Sequence, residues 1–225
     1  MQVINKNHKG FTLIEVLVAL TIFMIFMISI TSSYLDIAQS QREANAIREI
    51  YSEIRYIYSL ISEEARSKTI DYGCPHDSSS GSTFSSTACT ELSSKLREEY
   101  LALISADGTM RTIFMLDKDS DDETKLYMTK ENFTGEIWEP AKGYGAVRTF
   151  VPIDLQYIKL KGFEFRIAPL ADPFASANIA CGPVQFQPSV SIYSSITGKH
   201  PNVSDFSLNL QTTISSRVYN KQTQI

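Results

Sequence analysis

The chain has 225 residues, of which 43% are hydrophobic and 20% are charged. That length allows one globular domain with an anchor, or two small domains, and the composition is that of a folded protein. The net charge of −4 argues against nucleic-acid binding as the main function, because surfaces that bind nucleic acids are basic.

A long apolar run from Phe11 to Ile30 follows a short basic segment at the N-terminus. Its sequence is FTLIEVLVALTIFMIFMISI, in which Glu15 is the only charged residue. A helix of about 20 residues rises about 30 Å, which matches the hydrocarbon thickness of a bilayer. Lys6 and Lys9 precede the run and Asp36 follows it. The positive-inside rule therefore predicts a single pass through the cytoplasmic membrane, with the N-terminus in the cytoplasm and the rest of the chain outside.

Three interpretations of this run compete. A secretory signal peptide has a shorter apolar core and a small-x-small cleavage site, which here occurs only downstream, at Ala38-Gln39-Ser40. A plain signal anchor leaves Glu15 unexplained. A carboxylate at the membrane centre costs about 2.5–3.5 kcal/mol, so its presence needs a reason. In the third interpretation the chain is cleaved after Gly10, and the new Phe11 amine of one subunit neutralises Glu15 of its neighbour in a helical assembly. Glu15 then sets the register between subunits.

The same residues resemble a known leader. A basic segment ending Lys9-Gly10, followed by Phe11-Thr12-Leu13-Ile14-Glu15 and an apolar helix, resembles the class III leader of type IV pilins and type II secretion pseudopilins. The resemblance implies that a prepilin peptidase cleaves between Gly10 and Phe11, that the Phe11 amine is methylated, and that Glu15 carries subunit registration. It also implies a type IV pilin fold of the α+β class, in which a long N-terminal helix packs on an antiparallel β-sheet domain.

The helix is expected to continue beyond the membrane to about Lys68, because residues 34–68 contain no glycine or proline. Gly73 is expected to end it. Ser29–Ser33 is the weakest span, where a hinge or local melting is the expectation, since serine and β-branched residues are poor helix formers. Apolar residues recur every three or four positions and should lie against a sheet; they are Ile47, Ile50, Tyr51, Ile54, Ile57, Tyr58, Ile61 and Ala65.

Three cysteines bear on the segment after the helix. Cys74 and Cys89 bracket a loop rich in Ser, Thr and Gly. In an oxidising compartment a disulfide between them is the natural pairing, worth about 3 kcal/mol. A bridge from Cys181 to either of them, or three reduced thiols, are the alternatives.

The remainder of the chain has the pattern of β-strands. Asp107-Gly108 between the first two segments predicts a hairpin. Consecutive strands with short turns predict an antiparallel sheet, one face of which the helix covers. The last three segments also resemble the ends of larger minor pilins and of J-type or W-type minor pseudopilins. The predicted strands are YLALIS (100–105), MRTIFML (110–116), KLYMTK (125–130), GEIWE (135–139), IDLQYIKL (153–160), GFEFRIAP (162–169), SVSIYSSI (189–196) and FSLNLQTTISSRVY (206–219).

These patterns divide the chain into five parts. They are a leader (1–10), a transmembrane and filament-core helix (11–33), the amphipathic half of the same helix (34–68), a Ser-rich loop with a short helix (69–98) and an antiparallel sheet domain (99–225).

Candidate chemistry is sparse. Asp117, Asp119 and Asp121 place carboxylates at alternating positions, as a calcium loop does, but Asp122 and Met128 stand where an EF-hand needs glycine and glutamate. A solvated hairpin turn is the alternative to calcium. No other cofactor is expected, and no Ser/His/Asp order, paired catalytic carboxylates or phosphate-binding loop indicates an enzyme.

The resemblance implies a structural subunit of a type IV pilus or a type II secretion pseudopilus, in its initiating or tip complex. The implied partners are the prepilin peptidase, other major and minor pilins or pseudopilins, and the inner-membrane assembly platform. One alternative is a filament-tip module that binds DNA or a surface, for which an exposed patch of Trp138, Tyr144 and Phe150 would be evidence. The other is a membrane-tethered enzyme that uses the leader only for delivery.

Overall fold

The computed structural model describes residues 12–74, 97–118, 123–142, 150–170, 172–173, 187–203 and 205–216. The chain divides into two compact units, residues 1–47 and residues 48–225. Among the described residues, the first unit consists of the first part of a helix, and the second contains the rest of that helix and a sheet of nine strands. This is the α+β architecture that the sequence predicts.

The helix, α1, spans Leu13–Ser67 without a break. It is continuous through Ser29–Ser33, so the melting considered for this span does not occur here. The hydroxyl of Ser29 donates to the carbonyl of Ile25 at 3.1 Å, and that of Thr31 donates to the carbonyl of Met27 at 2.8 Å. These bonds give the two hydroxyl groups hydrogen-bond acceptors within the helix, so they need no water around this apolar segment.

The end of α1 confirms the expected end near Lys68. The helix ends at Ser67, because Thr69 and Ile70 leave it to form strand β1 (Thr69–Ile70), so Gly73 lies beyond the helix and does not end it. Both residues are β-branched and buried, and they pair with Ile104 and Leu103. The segment 69–98, expected to be a loop with a short helix, therefore begins with a strand of the sheet; residues 75–96 lie outside the described part.

The other strands follow in an antiparallel meander. Their spatial order is β1-β2-β3-β4-β7-β8-β9, with β5 and β6 also paired to β4. A 3₁₀ turn at Arg97–Glu99 precedes β2, and another at Pro201–Val203 precedes β9. The strands are β2 (Tyr100–Ile104), β3 (Met110–Lys118), β4 (Thr124–Phe133), β5 (Trp138–Pro140), β6 (Val151–Pro152), β7 (Ile158–Ala168), β8 (Ser189–Gly198) and β9 (Ser207–Ser215).

Two strand predictions are wrong in their extent. GEIWE becomes a strand only at Trp138, because Gly135 has a φ of 100° and belongs to the preceding turn. IDLQYIKL becomes a strand only at Ile158, and GFEFRIAP continues that same strand rather than forming a new one. A β-bulge between Leu160 and Gly162 shifts the register within β7.

The predicted β2–β3 hairpin is confirmed. Gly108 adopts a φ of 71°, the left-handed region that favours glycine. The Asp107 carboxylate accepts hydrogen bonds from Ser105 Oγ at 2.5 Å and from the Thr109 backbone N–H at 3.1 Å. These bonds to the charged form lower the pKa of Asp107 to about 2.

The core lies between α1 and one face of the sheet. Tyr51 was expected on the buried face of α1 but is 49% exposed, where its ring makes an edge contact with Phe206, with 6.1 Å between centroids. Gly198 at the end of β8 approaches α1 so closely that a Cβ there would lie 3.0 Å from Ile50 Cδ1. The helix residues buried in this core are Ile50, Ile54, Ile57, Ile61 and Ala65, and the alternating residues of β8 that are buried are Val190, Ile192, Ser194, Ile196 and Gly198.

A smaller apolar cluster covers the opposite face of β2 and β3. Tyr100, Ala102 and Ile113 pack there with Cys74 and Phe150. Strands β2 and β3 are therefore buried on both faces, whereas the face of β8 opposite α1 is only half-buried.

Candidate functional site

The first turn of α1 places Thr12 and Glu15 together. Thr12 stands just before the helix, and the Glu15 backbone N–H lies 3.1 Å from Thr12 O and 3.4 Å from Thr12 Oγ1. This is the geometry of a threonine N-cap, and the positive end of the helix dipole favours a carboxylate in the same turn. Glu15 is exposed, and its carboxylate has no ion-pair partner among the described residues. Gly10 and Phe11 lie outside the described residues, so cleavage, methylation and the pairing of an amine with Glu15 stay predictions.

The membrane-length part of α1 is apolar on every side. Its most apolar stretch has a mean hydropathy of 2.7, and its side chains are exposed in the part of the chain that the structure describes. Among the described residues, α1 is the helix that could cross a membrane by length and composition. Leu13 is 82% exposed and Phe26 is 62% exposed. A helix that is apolar all round and uncovered needs lipid or other apolar helices around it.

A half-buried carboxylate in the last turns of α1 binds the sheet. Glu64 accepts hydrogen bonds from Lys68 Nζ at 2.6 Å, Lys130 Nζ at 2.5 Å and Thr112 Oγ1 at 3.0 Å. Burial acts to raise the pKa of Glu64, but the hydrogen bonds and positive charges of Lys130 and Lys68 outweigh burial and hold that pKa below its ordinary value. Lys68 is itself buried, so Glu64 supplies the counter-charge that this ammonium needs.

Two more polar contacts join α1 to the sheet domain about two and three turns before Glu64. The Tyr58 hydroxyl lies 2.7 Å from Ser194 Oγ on β8, and burial raises the pKa of Tyr58. The Glu53 carboxylate accepts backbone N–H bonds from Gln156 at 2.6 Å and Tyr157 at 2.8 Å. The loop between β6 and β7 is therefore held by the helix, which explains why residues 153–157 do not extend the strand.

A buried arginine links the segment after β1 to the sheet. Arg111 Nε lies 2.7 Å from Asp71 Oδ2, and Arg111 Nη1 lies 3.6 Å from Glu131 Oε2. The guanidinium carbon lies 4.0 Å from the ring centroid of Trp138. One cation thus sits between two carboxylates and on an aromatic ring. Trp138 and Phe150 are both buried, so they do not form the exposed aromatic patch that was considered; Tyr144 lies outside the described residues.

The remaining predicted site residues are only partly described. Cys74 is disulfide-bonded, but Cys89 and Cys181 both lie outside the described residues, so the pairing with Cys89 stays a prediction. Asp117 lies near the end of β3 opposite Lys125, and Asp119 and Asp121 are outside the described part. Among the residues that the structure describes, no group of three or more His, Cys, Asp or Glu could hold a metal ion.

Sequence reasoning missed the Glu64 and Arg111 clusters. Glu64 and Lys68 do have the four-residue spacing of a helical ion pair, which was a usable signal. The partners Thr112 and Lys130 come from strands far along the chain, so spacing gives no sign of them.

Comparison with known families finds one match. The prokaryotic N-terminal methylation motif matches residues 5–31. The match covers Gly10, Phe11, Glu15 and the apolar run, so the chain carries a class III prepilin leader, as type IV pilin-like proteins do. The leader implies processing by a prepilin peptidase and assembly with other pilins in a membrane. Comparison with curated proteins and with solved structures gave no match.

Proposed function

We propose that this chain is a minor pilin or pseudopilin, a structural subunit of a type IV pilus or of a type II secretion pseudopilus. The observation that supports the proposal most is the methylation motif at residues 5–31, continued by one unbroken helix into a sheet domain. Within the part of the chain that the structure describes, the side chains in the apolar half of that helix are exposed. Lipid covers it before assembly, and the helices of other subunits cover it in a filament.

The proposed chemistry is confined to the N-terminus. A prepilin peptidase removes the first ten residues, and the Phe11 amine is methylated. Thr12 remains in the mature chain, so the helix cap survives cleavage. Glu15 of one subunit then meets the Phe11 amine of the next, because an unpaired carboxylate among apolar helices is costly. That pairing selects one register among the many that apolar helices alone would accept.

The proposed place in the filament is the initiating or tip complex. The sheet domain has nine strands among the described residues, and β6 and the 153–157 loop interrupt its meander, which favours a specialised subunit over a repeating one. The partners are then the assembly platform of the inner membrane and other major and minor subunits. The N-terminus lies in the cytoplasm and the sheet domain outside. Assembly needs no catalytic residue and no cofactor.

The first experiment measures intact mass and N-terminal sequence of the protein purified from membranes of a cell with an active prepilin peptidase. The wild-type chain is expected to begin at Phe11 and to carry one added methyl group. Gly10→Ala is expected to keep its leader, whereas Gly73→Ala, the same change outside the leader, is processed normally. A wild-type chain that still begins at Met1 would show the proposal to be wrong.

A second experiment tests registration separately from processing. Glu15→Gln keeps the size and the helix cap but removes the charge. It is expected to be cleaved and methylated like wild type, yet to be lost from sheared filaments or from crosslinked subunit complexes. Glu49→Gln, an exposed glutamate further along α1, is the matched control. Equal incorporation of both variants would contradict a role of Glu15 in register.

A further inference from the structure

The face of β7, β8 and β9 that points away from α1 has a groove of about 530 Å³. That volume falls in the range of small-molecule sites, about 300–1,000 Å³. The assembly role uses α1 and leaves this groove without a function. Among the residues that line it are Lys118, Gly162, Glu164, Tyr193, Asn209 and Gln211.

The strand register explains why a groove forms here. Gly162, Ser195 and Asn209 lie directly opposite one another on adjacent strands, and so form a row of short side chains across the sheet. The β-bulge next to Gly162 bends β7 at this row. The next row, formed by Glu164, Tyr193 and Gln211, is taller and makes the wall of the groove.

The wall holds an aromatic ring in a fixed position. The guanidinium carbon of Arg166 lies 4.6 Å from the ring centroid of Tyr193, and Gln211 Nε2 donates to the Tyr193 hydroxyl at 2.9 Å. Arg166 belongs to the row on the far side of Tyr193, opposite Ser191. It therefore covers the ring face turned away from the groove, and the other face borders the groove.

The groove also offers hydrogen-bonding groups that are not committed elsewhere. The side chains of Ser195 and Asn209 make no hydrogen bond within the part of the chain that the structure describes. The Gln211 amide donates through Nε2, which leaves its oxygen as an acceptor. Glu164 is neutralised by Arg166 Nη2 at 2.7 Å. The lining thus combines hydroxyl and amide groups with the ring of Tyr193, and Phe163 and Lys118 also line the groove.

From this arrangement we propose that the groove binds a neutral oligosaccharide. A pyranose ring has one face of C–H groups, which packs on an aromatic ring such as Tyr193, and a rim of hydroxyls, each both donor and acceptor. Ser195, Asn209 and Gln211 present matching hydroxyl and amide groups. The row of short side chains formed by Gly162, Ser195 and Asn209 leaves room for a sugar chain that crosses the three strands. This binding goes beyond the assembly role and does not depend on it.

The test is titration calorimetry of the full chain with maltotriose, cellotriose and chitotriose, in a detergent without a sugar headgroup. Wild type is expected to bind at least one of them. Tyr193→Leu removes the ring. Gly162→Val adds bulk to the floor, where a Cβ at residue 162 would lie 3.8 Å from the nearest atom, Ser195 Cβ. Each variant is expected to lower the affinity by about tenfold or more.

Thr213→Ala is the matched control, because Thr213 lies on the same face but in the row beyond Tyr193. It is expected to bind as wild type does, and the fluorescence of Trp138 reports that every variant is folded. Binding of none of the three sugars at millimolar concentration overturns the proposal. The proposal is also overturned when Thr213→Ala loses as much sugar affinity as the two groove variants, or when Tyr193→Leu binds sugar as tightly as wild type. Normal N-terminal processing in the same samples keeps this outcome distinct from failure of the assembly proposal.

Discussion

Replacing Glu64 with glutamine should destabilise the sheet domain far more than its position on a helix surface suggests. The carboxylate accepts three hydrogen bonds, two of them from ammonium groups. Glutamine retains the shape but not the charge. Lys68, whose side chain is only 8% exposed, then keeps a buried charge with no anion beside it, whereas Lys130 is 28% exposed and can turn to water.

The size of the effect follows from this difference between the two lysines. Breaking a buried ion pair by removing one partner costs about 3–5 kcal/mol. Because only Lys68 is left stranded, we expect the lower end, about 3 kcal/mol of the free energy of unfolding. With a urea dependence of about 2 kcal/mol per molar, the midpoint of unfolding should fall by about 1.5 M.

The assay is urea unfolding of the full chain in detergent, followed by the fluorescence of Trp138. This is the single tryptophan of the chain, and it is buried in the sheet domain. Glu63→Gln is the matched control, since Glu63 is the preceding residue and is exposed. The reasoning is refuted when the two variants unfold at the same urea concentration.

The dependence on pH supplies a second check on the same carboxylate. The pKa of Glu64 is lower in the folded protein than its ordinary value of 4.5. The folded state therefore binds protons less readily than the unfolded state, and the stabilisation is complete above pH 4.5 and is lost as the pH falls through the folded pKa. Wild type should lose stability over that interval, and Glu64→Gln should lose less. Parallel pH profiles for the two proteins would contradict this account.

Three smaller perturbations test other contacts. Glu53→Gln should speed hydrogen exchange at the Gln156 and Tyr157 amides by about tenfold, since the charged acceptor is lost. Unchanged exchange rates would mean that the loop keeps its conformation without Glu53. Cys74→Ser should cost about 3 kcal/mol, measured by urea unfolding, and Cys89→Ser should match it only when these two cysteines are the pair. Gly198→Ala should cost about 2 kcal/mol, because its Cβ would lie 2.7 Å from a backbone oxygen, while Gly162→Ala should be neutral. Thermal unfolding of the two glycine variants tests this prediction, which is wrong when both unfold at the same temperature.

Local sequence patterns were sufficient for α1, for the β2–β3 hairpin and for the leader. The 3.6-residue periodicity of α1 depends only on which face of a helix meets water, so Ile50, Ile54, Ile57 and Ile61 could be assigned to the core without a structure. The β2–β3 hairpin was predictable for a similar reason, because Asp107-Gly108 is a turn preference of the chain itself. The methylation motif is likewise a contiguous string, which explains why it was legible before any fold was known.

Tertiary contacts decided where elements end and which side chains work together. Helix α1 ends at Ser67 because Thr69 and Ile70 are stabilised more by burial and pairing with β2 than they would be by continuing the helix. Strand β7 starts late because the loop before it donates its amides to Glu53. These outcomes depend on partners that are more than 30 residues away, and local propensity is weaker than the burial and hydrogen bonds such partners supply.

The groove beside Tyr193 shows most clearly which features the sequence predicts and which depend on tertiary structure. The alternation in β8 and β9 fixes which side chains face away from the helix, and the sequence reveals it. Only the register brings Gly162, Ser195 and Asn209 into one row and sets Arg166 behind the tyrosine ring. Register is a property of strand pairs and of the bulge in β7, and no single stretch of sequence contains it.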